Sequence, residues 1–180
     1  MLTSHIALLR GVNLGPAKRV AMADLRAIAE GLGHTGVRTL LNSGNLVFQA
    51  EPSADHAARL QAALLQTLSV KSRVLVLTAD ELAAVIAANP FPEEAALNPS
   101  RLLVTLPGTP EALGRLAPLA DADWRPERLA LGGPAAFSWH PDGLSSGKLA
   151  EALDRAGKGE VTARNWGTVL KLQGACAAMA

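Results

Sequence analysis

Residues 35–50, TGVRTLLNSGNLVFQA, decide the fold. Two short apolar runs, 37–41 and 46–49, stand on either side of Asn42-Ser43-Gly44-Asn45. Asn and Gly tolerate positive φ and bond their own backbone, so this pattern predicts a hairpin. On its N-terminal side, Met22, Leu25, Ile28, Ala29 and Leu32 recur at the spacing of one helix face, and Gly33 and Gly36 follow where a helix stops. Before them, residues 5–9 form an apolar run that breaks into turn residues at 10–16, which reads as a buried strand. On the C-terminal side, Ala57, Leu60, Ala63, Leu64 and Leu68 mark a second helix with Ser53 as its expected N-cap. Residues 74–77, VLVL, add another buried strand. The order β-α-β-β-α-β is the split βαβ of a ferredoxin-like unit.

The remaining residues repeat that order loosely. A helix over 78–88 has Asp80 and Glu81 in its first turn and stops at Asn89-Pro90-Phe91-Pro92. A strand at 101–106 leads to a helix at 110–119 opened by Pro110. A hairpin of 129–131 and 135–140 turns at Gly132-Gly133-Pro134. A helix at 146–156, capped by Ser145 or Ser146, a short strand from Val161 and a helix over 165–178 complete the chain. The expected fold class is α+β: two ferredoxin-like (βαββαβ) subdomains with antiparallel sheets, divided as 1–90 and 91–180.

Four segments stand together in order along the chain. They are residues 8–15 (LLRGVNLG), Asn42-Ser43-Gly44-Asn45, Asn89-Pro90-Phe91 and residues 162–172 (TARNWGTVLKL). In that order and spacing the chain resembles the bacterial domain of unknown function 1697 family over nearly its whole length. The resemblance implies two ferredoxin-like subdomains and no assigned activity. The sequence departs from the family's usual pattern at Pro16, Lys18, Gly147 and Gly167.

Composition narrows the classes of function. Of 180 residues, 49% are apolar and 18% charged, which is globular usage. No apolar stretch is long enough to span a bilayer and no signal peptide opens the chain, so no membrane partner is expected. One cysteine, Cys176, excludes an internal disulfide and points to a reducing, cytoplasmic setting. Histidines 5, 34, 56 and 140 lack metal-ligand spacing, so neither a metal nor another cofactor is expected. There is no G-x-S-x-G, and no catalytic nucleophile emerges.

Charge is uneven although the net is +1. Residues 1–50 carry five cations against two acids, residues 78–127 three against eight, and residues 144–180 five against three. The loop after the first strand, RGVNLGPAKR, can aim backbone N–H groups and a helix start at an anion, with Arg10, Asn13 and Lys18 as contacts. Its plainer reading is a βα connection. Residues 142–149, DGLSSGKL, fail as a P-loop: three residues separate the glycines and Leu149 follows Lys148. If 162–171 is helical, Arg164, Thr168 and Lys171 share one face and Asn165 caps the start. Asn45 is a further contact candidate, although a hairpin turn alone explains it.

The expected ligand is therefore a small phosphate or carboxylate, held between the halves by Arg10, Asn13, Lys18, Asn45, Lys148, Arg164, Asn165 and Lys171. The alternatives are a nucleic-acid module and a protein-interaction or dimerisation module. Nucleic acid is disfavoured, because the chain has no tyrosine and only three Phe and three Trp.

Overall fold

The computed structural model describes residues 1–180. Contacts group the chain into two units, Met1–Leu82 with Lys171–Ala180, and Ala83–Leu170. Each contains a four-stranded antiparallel sheet with helices.

In the first unit the elements run β1 (Thr3–Leu9), α1 (Met22–Gly31), β2 (Thr35–Leu40), β3 (Asn45–Ala50), α2 (His56–Leu68) and β4 (Val74–Thr78). The sheet order is β2-β3-β1-β4, the ferredoxin-like order expected from the sequence. Register places His5 opposite Phe48 and Ala7 opposite Leu46. Side chains alternate across a strand, so Ala7 and Leu9 join Leu46, Phe48 and Ala50 on one face. There they pack with Leu25, Ile28 and Ala29 of α1 and Leu60 and Leu64 of α2 in one buried cluster. The other face carries Ile6, Leu8 and Val47, also fully buried. Burial on both faces is why β1 reads as an uninterrupted apolar run. The chain end lies over this unit as well, where Gln49 Nε2 donates to the Met179 carbonyl at 2.9 Å.

The second unit repeats the plan with β5 (Leu102–Pro107), α5 (Pro110–Leu116), a 3-10 turn (Ala117–Asp121), β6 (Arg128–Gly132), β7 (Ala135–Trp139), α6 (Leu149–Gly157) and β8 (Val161–Asn165). Its sheet order, β6-β7-β5-β8, is the same as that of the first. Ala112, Leu116, Ala136, Leu149, Leu153 and Val161 form its helix-side core. Two helices, α3 (Ala79–Ala87) and α4 (Pro92–Leu97), follow β4, and α7 (Trp166–Ala177) follows β8.

The helix read over 78–88 stops before Asn89-Pro90, with α3 ending at Ala87; Pro92 then opens a further helix, α4, absent from the sequence reading, because a proline without an N–H fits a helix's first turn as well as it stops one. Two local expectations are corrected. Ser53 does not cap α2. Its hydroxyl accepts from the Asp55 N–H at 3.1 Å, fastening the turn before the helix. Arg164 is not helical. It lies in β8 opposite Val104, and the helix begins two residues later. The sheet's need for a fourth strand overrides the helical spacing of Arg164, Thr168 and Lys171.

Candidate functional site

In the first unit, three loops close one end of the sheet: 10–21 after β1, 41–44 between β2 and β3, and 69–73 before β4. They are knitted by hydrogen bonds. The Leu9 N–H donates to Gly44 O and the Arg10 N–H to Arg73 O, both at 2.9 Å. The Ser72 hydroxyl donates to Arg10 O at 2.8 Å. Gly44, at φ 83°, is fixed by this packing: a Cβ there would stand 2.7 Å from Leu9 Cβ and 2.8 Å from a Val12 methyl.

Asn13 organises the first loop. Its Nδ2 donates to Val20 O at 2.8 Å and to Asn42 O at 2.7 Å, and its Oδ1 accepts from the Val20 N–H at 2.8 Å. It adopts φ 57°, a left-handed conformation that asparagine tolerates better than most residues. The backbone closes the same loop, with the Asn13 N–H donating to Lys18 O at 3.1 Å. The result is a cleft of about 390 Å³ lined by Asn13, Arg19, Val20, Ala21, Met22 and Asn42. It lies at the start of α1, whose N-cap, Ala21, has no side chain to bond the first-turn N–H groups. Those donors and the positive end of the helix dipole favour an anion there.

The loops are basic, and the acid next to them is Asp24 in the first turn of α1. The three loops contain Arg10, Lys18, Arg19, Lys71 and Arg73 and no acid. Lys18, Arg19, Lys71 and Arg73 are exposed, while Arg10 is half-buried. Lys71 and Arg73 had no motif to announce them. Adjacency of their loop to the first, set by sheet order, is what brings them in.

Of the other candidates, Asn45, Asn165 and Arg164 make local hydrogen bonds. Asn45 is fully buried and its Nδ2 donates to Leu40 O and Ser43 Oγ, holding the hairpin. In the second unit, Asn165 caps α7 as expected, its Oδ1 accepting from the Thr168 N–H at 2.9 Å. Arg164 donates to Ala163 O, and burial lowers its guanidinium pKa to about 10. Lys171 is exposed on α7, and Lys148 is exposed at the start of α6. The Lys148 and Leu149 N–H groups both donate to Glu127 Oε1 at 3.1 Å. The expected serine cap of α6 is thus replaced by a carboxylate reaching from before β6. Gly147 permits it, since a Cβ there would overlap that carboxylate.

Glu127 anchors a buried polar chain in the second unit. Its Oε2 pairs with His140 Nδ1, and His140 Nε2 meets the Ser138 hydroxyl at 2.8 Å. Hydroxyl, imidazole and carboxylate stand in the order used by activated-nucleophile enzymes. Ser138 and His140 are, however, wholly buried, so no substrate reaches the hydroxyl. Burial lowers the His140 pKa while the Glu127 carboxylate raises it, and burial dominates. The network is structural: it satisfies a helix start and two buried polar groups at once. Ser138 on β7 and His140 just past its end, two positions apart, were the available signal, but Glu127 lies outside any motif.

A second buried group of titratable residues lies in the first unit. His5, His34 and His56 surround Phe48, with His34 stacked on its ring at 4.2 Å and His56 edge-on at 5.6 Å. All three are nearly inaccessible, and His34 Nε2 and His56 Nδ1 have no hydrogen-bond partner. Nowhere are three His, Cys, Asp or Glu side chains arranged to hold a metal ion. Cys176 is buried, which raises its thiol pKa. No helix is long and apolar enough to cross a membrane.

These features define an α+β protein of two ferredoxin-like units, the first bearing a basic loop end. The family model for a protein of unknown function, DUF1697, matches residues 2–137, and the chain belongs to that family. Among solved structures it is similar to the conserved bacterial protein SP0830 from Streptococcus pneumoniae, with a TM-score of 0.77 and 21% identity over 98% of this chain and 99% of that one. An unknown protein from Galdieria sulphuraria aligns at 16% identity and a TM-score of 0.26, covering 91% of this chain and 97% of that one. No curated protein matches the chain.

Proposed function

We propose that the first unit binds a small anionic ligand, a phosphate or carboxylate, in the cleft at the start of α1. The observation that carries this reading is the joining of an uncapped helix start to a cleft lined by Arg19, within loops whose five cations outweigh the one acid of the first helical turn, Asp24. Arg19 offers a planar fork for two oxygens, and Lys18 and Lys71 raise the local potential. Asn13 acts as the brace that gives the cleft its shape. The reading keeps the ligand class expected from the sequence and is carried by the first unit's loops alone. The protein acts in the bacterial cytoplasm in this reading, in keeping with its single buried cysteine.

Calorimetric titration with inorganic phosphate and with citrate tests it. Binding should weaken with added salt and fall roughly tenfold or more in Arg19→Gln, the effect of losing one charge-assisted hydrogen bond. No heat from either anion, or an Arg19→Gln variant that binds as the natural protein does, would overturn it.

A further inference from the structure

The basic loop end has a second feature that a small soluble anion does not use. Leu14 is 84% exposed and Leu41 51% exposed, the former among the most exposed apolar side chains of the chain. They flank the bond between Asn13 Nδ2 and Asn42 O, Leu14 following one partner and Leu41 preceding the other. Leu41 also holds φ 58°, a conformation that Gly or Asn adopts readily and a leucine does not. Two apolar tips on braced loops are thus accompanied by Lys18, Arg19, Lys71 and Arg73, all exposed.

We propose that this end of the first unit docks on an anionic lipid surface. Leu14 and Leu41 enter the boundary between headgroups and acyl chains, and the four cations lie at the level of the lipid phosphates. The inference rests on the anion-binding reading above and names the headgroup phosphate as the anion presented to these loops. Apolar insertion combined with attraction to anionic lipid is the pattern of peripheral membrane binding, and it needs no spanning segment. The absence of a long apolar stretch, which led the sequence to suggest no membrane partner, therefore does not bear on it. A nucleic acid fits less well. Its phosphates would engage the cations, but the loops offer no aromatic ring for a base, and the leucines would stay in water.

The test is co-sedimentation of the full chain with vesicles of phosphatidylcholine alone and of phosphatidylcholine mixed with phosphatidylglycerol. Binding is expected to the mixed vesicles and to weaken with salt. Each cation removed should lower partitioning about fivefold, so Arg19→Gln with Lys71→Gln should cost roughly 25-fold. Leu14→Asn should cost roughly tenfold or more while leaving the charge untouched. All three side chains are exposed, and unchanged melting temperatures would show that the variants fold. Equal binding by Leu14→Asn and the natural protein would overturn the inference. So would binding to single-stranded DNA with the vesicles ignored. Binding of inorganic phosphate without vesicle binding would overturn the docking and leave the small-anion reading standing. Failure of both would remove the two together.

Discussion

Acidification should loosen the first unit through His34 and His5, and His34 sets the magnitude. Burial, with contributions from His56, Arg59 and His5, lowers its pKa from 6.5 to about 4. An unfolded chain takes up the proton near 6.5 and the folded one does not, so stability rises with pH across this interval. The contribution is fully present above pH 6.5 and is lost as pH falls through 4. At about 1.4 kcal/mol per pH decade, the group alone accounts for about 3 kcal/mol. His5 acts in the same sense, its pKa also lowered chiefly by burial, although the hydrogen bond to the Thr3 carbonyl and, less strongly, the Glu81 charge oppose the shift. The assay is urea denaturation between pH 7 and pH 4, comparing the natural protein with His34→Phe. Phenylalanine keeps the stack on Phe48 and removes both the titration and the buried, unpartnered Nε2. His34→Phe should be at least as stable at pH 7, with a pH dependence shallower by about 3 kcal/mol. Parallel curves for the two proteins would refute the reasoning.

Gly147→Ala should destabilise by roughly 1–3 kcal/mol in a thermal melt, because the new methyl displaces the carboxylate that caps α6. Glu127→Ala should cost roughly 1–3 kcal/mol, leaving the Leu149 N–H and His140 Nδ1 without their partner, and Glu127→Gln distinctly less, since an amide oxygen can still cap the helix. NMR titration should also find the His140 pKa lower in both Glu127 variants, because the carboxylate that raises it is gone. Asn13→Ala should cost roughly 2–3 kcal/mol and speed amide hydrogen exchange over 10–20 and 41–44, the segments its side chain joins.

The first unit was legible because its signals agree. Leu25, Ile28 and Ala29 show helical spacing, and Asn42 to Asn45 carry turn chemistry between β-rich runs; each follows from the surface that segment buries. The second unit was legible in order but not in detail. Pro92 is locally ambiguous between stopping and starting a helix, and Arg164 follows helical spacing on a segment that sheet pairing claims. Within the candidate site, Asn13 was identified as a residue of interest, but its brace to Asn42 is a tertiary bond across 29 positions. Lys71 and Arg73 join the basic end through sheet order, and Glu127 reaches α6 across 21 positions; neither leaves a periodic trace.

Two-dimensional amide NMR during a phosphate titration tests the anion-binding account most directly. The account predicts progressive, saturable shifts in residues 13–24 and 42, weakened by salt and with a midpoint roughly tenfold or more higher in phosphate for Arg19→Gln. Unchanged resonances across those segments at saturating phosphate, or shifts confined to other parts of the chain, would contradict it.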